Sequence, residues 1–214
     1  KLQEWGMPLI DPDGSAGVGG LSLWNGKMRI PLLNLPGQEP IRMQQTVLAR
    51  GPLRSLVRVE YSGIRGANGD YGAVLLLSAY ADNPVSRLDF VTISKTGGPL
   101  PCGPGIRKLA DETFSFDPKK GYIAEWGRGM EGAGEIGLAA VFNPSEYAGL
   151  SAESTDRWVE LTGPAGKKHT CWILTGWEKG LGAPGNPAGL NWGRKVEAAA
   201  ARLLVPVEVH YASK

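Results

Sequence analysis

The 214-residue chain reads as an all-β protein, an antiparallel β-sandwich carrying one C-terminal helix. Three observations predict it. First, 31 glycines and 16 prolines stand beside a hydrophobic fraction of 42% and a charged fraction of 21%, a balance suited to short strands joined by tight turns. Second, apolar residues alternate with polar ones in segment after segment, each bounded by Gly, Pro, Asn or Asp. Third, a single stretch has helical spacing, so the crossover helices that a parallel sheet needs are missing.

The first element lies in "GSAGVGGLSLW", Gly14 to Trp24, a glycine density found in some phosphate loops. A phosphate loop needs a helix N-terminus after the glycines, because helix amides and the helix dipole hold the anion. The residues after these glycines, "LSLWNGKMRIPLL", instead alternate and turn at Asn25-Gly26, a hairpin signature. Nucleotide binding is therefore excluded, and the glycines are expected to let a tight loop approach a sheet edge.

Further strands are expected at "IRMQQTVLA", "LRSLVRVEY", "GAVLLLSAY", "VSRLDFVTIS", "TFSFD", "GYIAEW", "EIGLAAVFN", "RWVELTG" and "HTCWILTGW". In "LRSLVRVEY", Leu53, Ser55, Val57, Val59 and Tyr61 share one face, with Arg54, Arg58 and Glu60 on the other. The helix is expected over residues 192–204, where Val196, Ala199, Ala200 and Leu203 recur at helical spacing and Asn191 is the candidate N-cap. Pro206 ends it, and "VPVEVHY" reads as a last strand. No linker divides the chain, so residues 1–214 are expected to form one sandwich domain.

Composition removes several function classes. The formal charge is +2 with no basic run, which argues against nucleic acid as a partner. The longest apolar runs, about 8 to 10 residues, fall short of a membrane span. Two histidines and the two cysteines Cys102 and Cys171 offer no metal-ligand spacing, so no metal or other cofactor is expected. The cysteines are read as buried thiols, with a single bridge as the alternative. Asp11 and Asp13 of "DPDGS" read as an ordinary turn.

Chemistry concentrates in "KKHTCWILTGWEKG", where a titratable base, cations and two tryptophans fall together. On a strand His169 shares a face with Cys171 and Ile173, while Trp172 points the other way and is read as core; Trp177 returns to the face of His169 if the strand runs unbroken through Gly176. An imidazole beside Lys167 and Lys168 is a candidate base toward an anionic sugar. His210, in the expected last strand, is read as structural. Seven tryptophans are many, and Trp5, Trp24, Trp126, Trp177 and Trp192 lie beside or near glycine. Indoles so placed can stack on the apolar face of a pyranose, and Trp5 and Trp177 are the candidates. Arg54, Arg58, Arg87 and Arg107 are candidates to grip a uronate carboxylate bidentately, and the first three complete the substrate-binding set.

The order of motifs is itself informative. "LQEWGMPLIDPDGSAGVGGLSLWNGK" resembles a family of secreted bacterial proteins grouped as a domain of unknown function, through Trp5, Gly6, Met7, Ser15, Gly17, Gly19, Gly20, Gly26 and Lys27. "GPLRSLVRVEY", "DNPVSRLDF", "IGLAAVFNP", "TGWEKG" and "NWGRKVEAAAARLLVPVEV" come after it in the family's order, so the resemblance spans nearly the whole chain. Asp11 and Pro12 depart from it, standing where an apolar residue preceded by lysine is expected. Members occur among proteins that break down uronate-rich polysaccharides such as pectin and ulvan. The resemblance implies a mutarotase-like supersandwich with an N-terminal portion preceding Lys1, a secreted or periplasmic location and an acidic oligosaccharide as partner. It carries no catalytic set.

Together these readings lead to an expectation of elimination or dehydration at a uronate, a carbon–oxygen lyase reaction. Such a reaction needs a base for the proton beside the carboxylate, for which His169 and Tyr122 are the candidates, and a cation for the enolate-like intermediate. The alternatives are a non-catalytic carbohydrate-binding sandwich and a glycoside hydrolase. A base, an arginine and tryptophans in one concavity would favour an enzyme. A flat row of exposed tryptophans would favour a binding module.

Overall fold

The computed structural model describes residues 8–10, 14–26, 28–32, 40–66, 69–81, 83–94, 100–164, 166–180 and 189–205. Among them the strands run β1 (Val18–Asn25), β2 (Met28–Pro31), β3 (Arg42–Arg50), β4 (Arg54–Gly66), β5 (Gly69–Tyr80), β6 (Val85–Ser94) and β7 (Cys102–Arg107). They continue with β8 (Ala110–Asp117), β9 (Tyr122–Arg128), β10 (Glu135–Phe142), β11 (Tyr147–Ala152), β12 (Asp156–Leu161) and β13 (Lys168–Trp177), and helix α1 spans Gly189–Leu203. All strand pairs are antiparallel, in a five-stranded sheet ordered β11-β12-β7-β1-β2 and an eight-stranded sheet ordered β3-β4-β5-β6-β13-β10-β9-β8. The chain is the antiparallel sandwich that the alternation predicts.

The core lies between the sheets. Leu21, Leu23, Ile106, Val159 and Leu161 of the small sheet meet Leu75, Leu88, Phe90, Leu138 and Phe142 of the large one. Burial pattern depends on what covers each strand. In β5 and β6 the residues facing the small sheet are mostly buried and those between them range from buried (Ser78) through half-buried (Val74, Leu76, Asp89) to exposed (Tyr80), because that face lacks a second covering sheet among the described residues. Strand β10, "EIGLAAVF", is buried from Ile136 to Phe142 because the small sheet covers one side and α1 the other. The outer face of the large sheet is thus divided: α1 packs on β8, β9 and β10, while β4, β5 and β6 lie beyond it.

Helix α1 begins at Gly189, three residues earlier than the spacing predicts, so Asn191 falls inside its first turn and is not its cap. Trp192, Val196, Ala199 and Ala200 form its buried stripe against Tyr122, Ala124, Trp126, Ala139 and Val141. The Trp192 indole lies flat on Gly137 and Gly176, where an added Cβ would stand 2.5 and 2.8 Å from ring atoms. The glycine-rich opening resolves in the same way. Gly19 has φ +81° and no Cβ to strike Ile173 of the facing sheet, so β1 approaches closely at a bulge. Strand β4 starts at Arg54, leaving Leu53 in the preceding turn, and β7 and β11 are strands that the sequence reading omits. Cys102 and Cys171 are free, buried thiols. Trp5, Asp11, Asp13, His210 and the expected last strand lie outside the described residues.

Candidate functional site

Strand β13 runs unbroken to Trp177, so His169, Cys171, Ile173 and Trp177 all face the inter-sheet core. His169 is 3% exposed. Its Nδ1 lies 2.7 Å from Glu146 Oε2 and its ring stacks on Phe90 with centroids 5.4 Å apart. Glu146 is delivered by a 3-10 turn, Pro144–Glu146, whose N-cap is Asn143, and its Oε1 is 2.9 Å from Lys167 Nζ. Neither neighbouring thiol is an activated nucleophile. Burial first, and then the Glu146 charge, push Cys102 up to about 12, and burial raises Cys171. The Trp177 indole N–H donates to the Ala133 carbonyl at 2.7 Å and anchors that turn.

The arginine candidates lie on the opposite, outer face. Arg58 is opposite Leu76, which is opposite Asp89, which is opposite Thr170; Arg87 sits between Ser78 and Trp172 in the adjoining row. Arg58 Nη2 donates to Glu60 Oε1 at 2.9 Å, and Arg87 donates through Nε and Nη2 to Asp89 Oδ1 at 3.1 and 3.0 Å. Arg54, opposite Tyr80, stands at the end of the same face. Arg107 is elsewhere, in a cavity of about 190 Å³ with Lys108 and Arg128.

Tyr122 also points outward, but α1 separates it from the arginine rows. It opens onto a cavity of about 240 Å³ lined by Thr113, Ser115, Trp126, Trp192, Arg194 and Glu197. The phenol is 7% exposed, and burial first, then the Glu197 charge, raise it above the ordinary tyrosine value. Glu197 lines the same cavity as the phenol and is held by Lys120 Nζ at 2.6 Å. A larger cavity, about 430 Å³, lies between β2 and β4 around Arg29, Ile30, Ile64 and Arg65. Among the described residues its lining presents no carboxylate, phenol or imidazole.

The sequence reading omits one polar cluster altogether. Glu125 of β9, fully buried, and Glu112 of β8 both bind the Arg157 guanidinium of β12, Glu112 Oε1 at 2.5 Å from Nη2. The Leu109 amide donates to Glu112 Oε2 at 3.2 Å and to Glu125 Oε2 at 3.3 Å. Burial and the Glu112 side chain raise the Glu125 carboxyl to about 8, while the Arg157 guanidinium lowers Glu112 to about 2. One signal existed: in "GYIAEW" a glutamate occupies a core-facing position beside Ile123. Its partners come from a bulge at Ala110/Thr113, where Asp111 has φ +53°, and from the other sheet; neither is written in local sequence.

The geometry therefore separates the predicted residues. Arg54, Arg58, Arg87 and Tyr122 share the outer face, with the arginines and Tyr122 on different sides of α1. His169 and Trp177 lie within the sandwich. Among curated proteins no match to the chain is found. Residues 1–209 match the family model described as domain of unknown function DUF4861, and the chain belongs to that family.

Proposed function

We propose that the protein is a carbohydrate-active lyase that eliminates water or a sugar alcohol from a uronate residue, working in the Tyr122 cavity. One observation carries this reading. A proton donor (Tyr122), a carboxylate (Glu197), a guanidinium (Arg194) and two indoles (Trp126 and Trp192) converge on one concavity of about 240 Å³.

Each group has a task. The Arg194 guanidinium takes the uronate carboxylate and stabilises the enolate-like charge that develops when the neighbouring C–H is broken. Glu197 removes that C5 proton, and the C–H electron pair forms the C4=C5 double bond as the C4–O bond breaks. Tyr122, kept protonated by burial and by Glu197, gives its proton to the departing oxygen. That oxygen leaves as water in a dehydration or as a hydroxyl in chain cleavage. The proton taken by Glu197 then passes across the cavity they share to the phenolate, which restores both groups. In this reading His169, walled in against Phe90 and Glu146, holds the 144–147 turn and leaves the acid–base work to Tyr122 and Glu197.

The resemblance to secreted proteins of pectin and ulvan breakdown supports the substrate class and an extracytoplasmic site of action. The two-sheet architecture fits the mutarotase-like form of sandwich proposed with it. The test is incubation with saturated and with 4,5-unsaturated uronate oligosaccharides. Loss of one water by mass, or new ultraviolet absorbance from the double bond, is expected from the saturated oligosaccharide and not at the unsaturated residue, which has no C5 proton to lose. No change in either would overturn the lyase reading in favour of a binding module.

A further inference from the structure

We propose that the open outer face of β4, β5, β6 and β13 is a second carbohydrate site, reading sugar hydroxyls along a glycan chain, distinct from the Tyr122 cavity.

Strand register assembles the site. Antiparallel pairing sets Arg58, Leu76, Asp89 and Thr170 in one cross-strand row, and Ser78, Arg87 and Trp172 in the next. Each arginine is tied to a carboxylate two residues along its own strand, Arg58 to Glu60 and Arg87 to Asp89. A guanidinium beside a carboxylate matches a vicinal diol, because one hydroxyl accepts from the arginine while its neighbour donates to the acid. The two pairs lie two strands apart, about 10 Å at the usual strand spacing, close to the length of a disaccharide.

Three details distinguish this face from ordinary solvated sheet surface. Asp89 is only 15% exposed, yet its Oδ1 receives Arg87 twice and the Thr170 hydroxyl at 2.6 Å. That arrangement leaves Oδ2 without a hydrogen bond among the described residues. Arg58 Nε is covered and has no partner there either. Between the polar groups lie half-buried apolar side chains, Val74, Leu76 and Trp172, and a sugar ring's C–H face needs such a floor. The end of α1 gives the face a wall, since Leu203 and Leu204 pack in the cluster that holds Trp172. With both arginines compensated by carboxylates, the occupant that fits is a hydroxyl-rich chain of low charge density. A uronate carboxylate is better served by Arg194.

This second site does not depend on the lyase reading. The test is affinity electrophoresis of the folded protein through gels containing hydroxyethyl cellulose, a neutral β-glucan, or polygalacturonate. The neutral glycan is expected to retard the wild type, and Arg87→Ala and Arg58→Ala are each expected to weaken that retardation at least tenfold. Thr170→Val, which removes the hydroxyl held on Asp89, is expected to act in the same direction, and matching thermal melts confirm that the variants fold. Tyr122→Phe is expected to bind the glycan as the wild type does. Retardation by polygalacturonate alone, retardation unchanged in the arginine variants, or retardation abolished by Tyr122→Phe would overturn the proposal. Absence of turnover together with arginine-dependent retardation would overturn the lyase reading and leave this site standing.

Discussion

Replacing Glu125 by Gln tests the electrostatics of the sandwich interior. The native carboxyl lies against Arg157 and Glu112 and titrates near 8 where an ordinary glutamate gives 4.5. The folded state therefore holds this proton more tightly than the unfolded chain does. The stability that the protonated group contributes is complete below pH 4.5 and is lost as pH rises toward 8. A gap of about 3.5 pH units at about 1.4 kcal/mol each sets an upper value of about 5 kcal/mol. Glu112 works in the opposite sense. Lowered to about 2 by Arg157, it contributes stability above pH 4.5 that is lost as pH falls toward 2. The cluster is thus most stabilising near pH 4.5. Because the two carboxyls share one guanidinium, the exchange is coupled, and a working loss of about 2 kcal/mol between pH 5 and 8 corresponds to about 4 to 8 °C in Tm. Gln keeps an N–H for Glu112 and a carbonyl for Arg157 but cannot ionise. Urea unfolding of both proteins at pH 5, 6, 7 and 8 is the assay. The wild type is expected to lose stability relative to Glu125→Gln as pH rises. Parallel curves for the two proteins would refute the reasoning.

The same geometry makes three further outcomes testable. Tyr122→Phe removes the proposed proton donor while keeping the ring, so kcat on a uronate substrate is expected to fall about 100-fold or more with KM little changed; equal kcat would refute the role. His169→Ala leaves the buried Glu146 carboxylate without its 2.7 Å partner, and a loss of about 1 to 3 kcal/mol is expected in denaturant unfolding. An unaltered midpoint would contradict the view that the pair supports the turn. Gly137→Ala drives a methyl group into the Trp192 indole, and overpacking of about 1 to 3 kcal/mol is expected as a lower Tm with altered tryptophan fluorescence. An unchanged melt would show that the helix yields without cost.

Local alternation was enough for most strands, because β4, β5 and β6 have one open face and therefore a period of two. It was weaker at the small sheet. Strand β7, "CGPGIR", carries Gly103-Pro104-Gly105 where alternation would put apolar side chains, and β11, "YAGLSA", is short and small. Both are held by neighbours distant in sequence. The same limit governs the site. Parity correctly divided His169 and Trp177 from Trp172, since it depends on one strand alone. It does not fix which face of β13 meets the small sheet: Trp172, read as core, lies half-buried on the outer face, and the inner face encloses His169. The convergence of Tyr122 with Arg194 and Glu197 joins a strand to a helix some 70 residues later. The meeting of Glu112, Glu125 and Arg157 joins both sheets.

The position of α1 in chain order also bears on how the molecule is made. Every described strand precedes it, so the apolar outer surface of β9 and β10, with Tyr122, Trp126, Ala139 and Val141, exists before its cover is synthesised. At about 5 to 20 residues per second, the stretch from Trp177 to Leu203 takes roughly 1 to 5 s to emerge. During that interval a nascent chain exposes a sticky patch that a chaperone must shield or a second chain can seize. A ribosome that stalls within the interval releases a chain that holds all the described strands and leaves this patch bare. The walls of the Tyr122 cavity formed by Trp192, Arg194 and Glu197 arrive only with the helix, so a complete cavity marks a chain whose helix has been translated and docked.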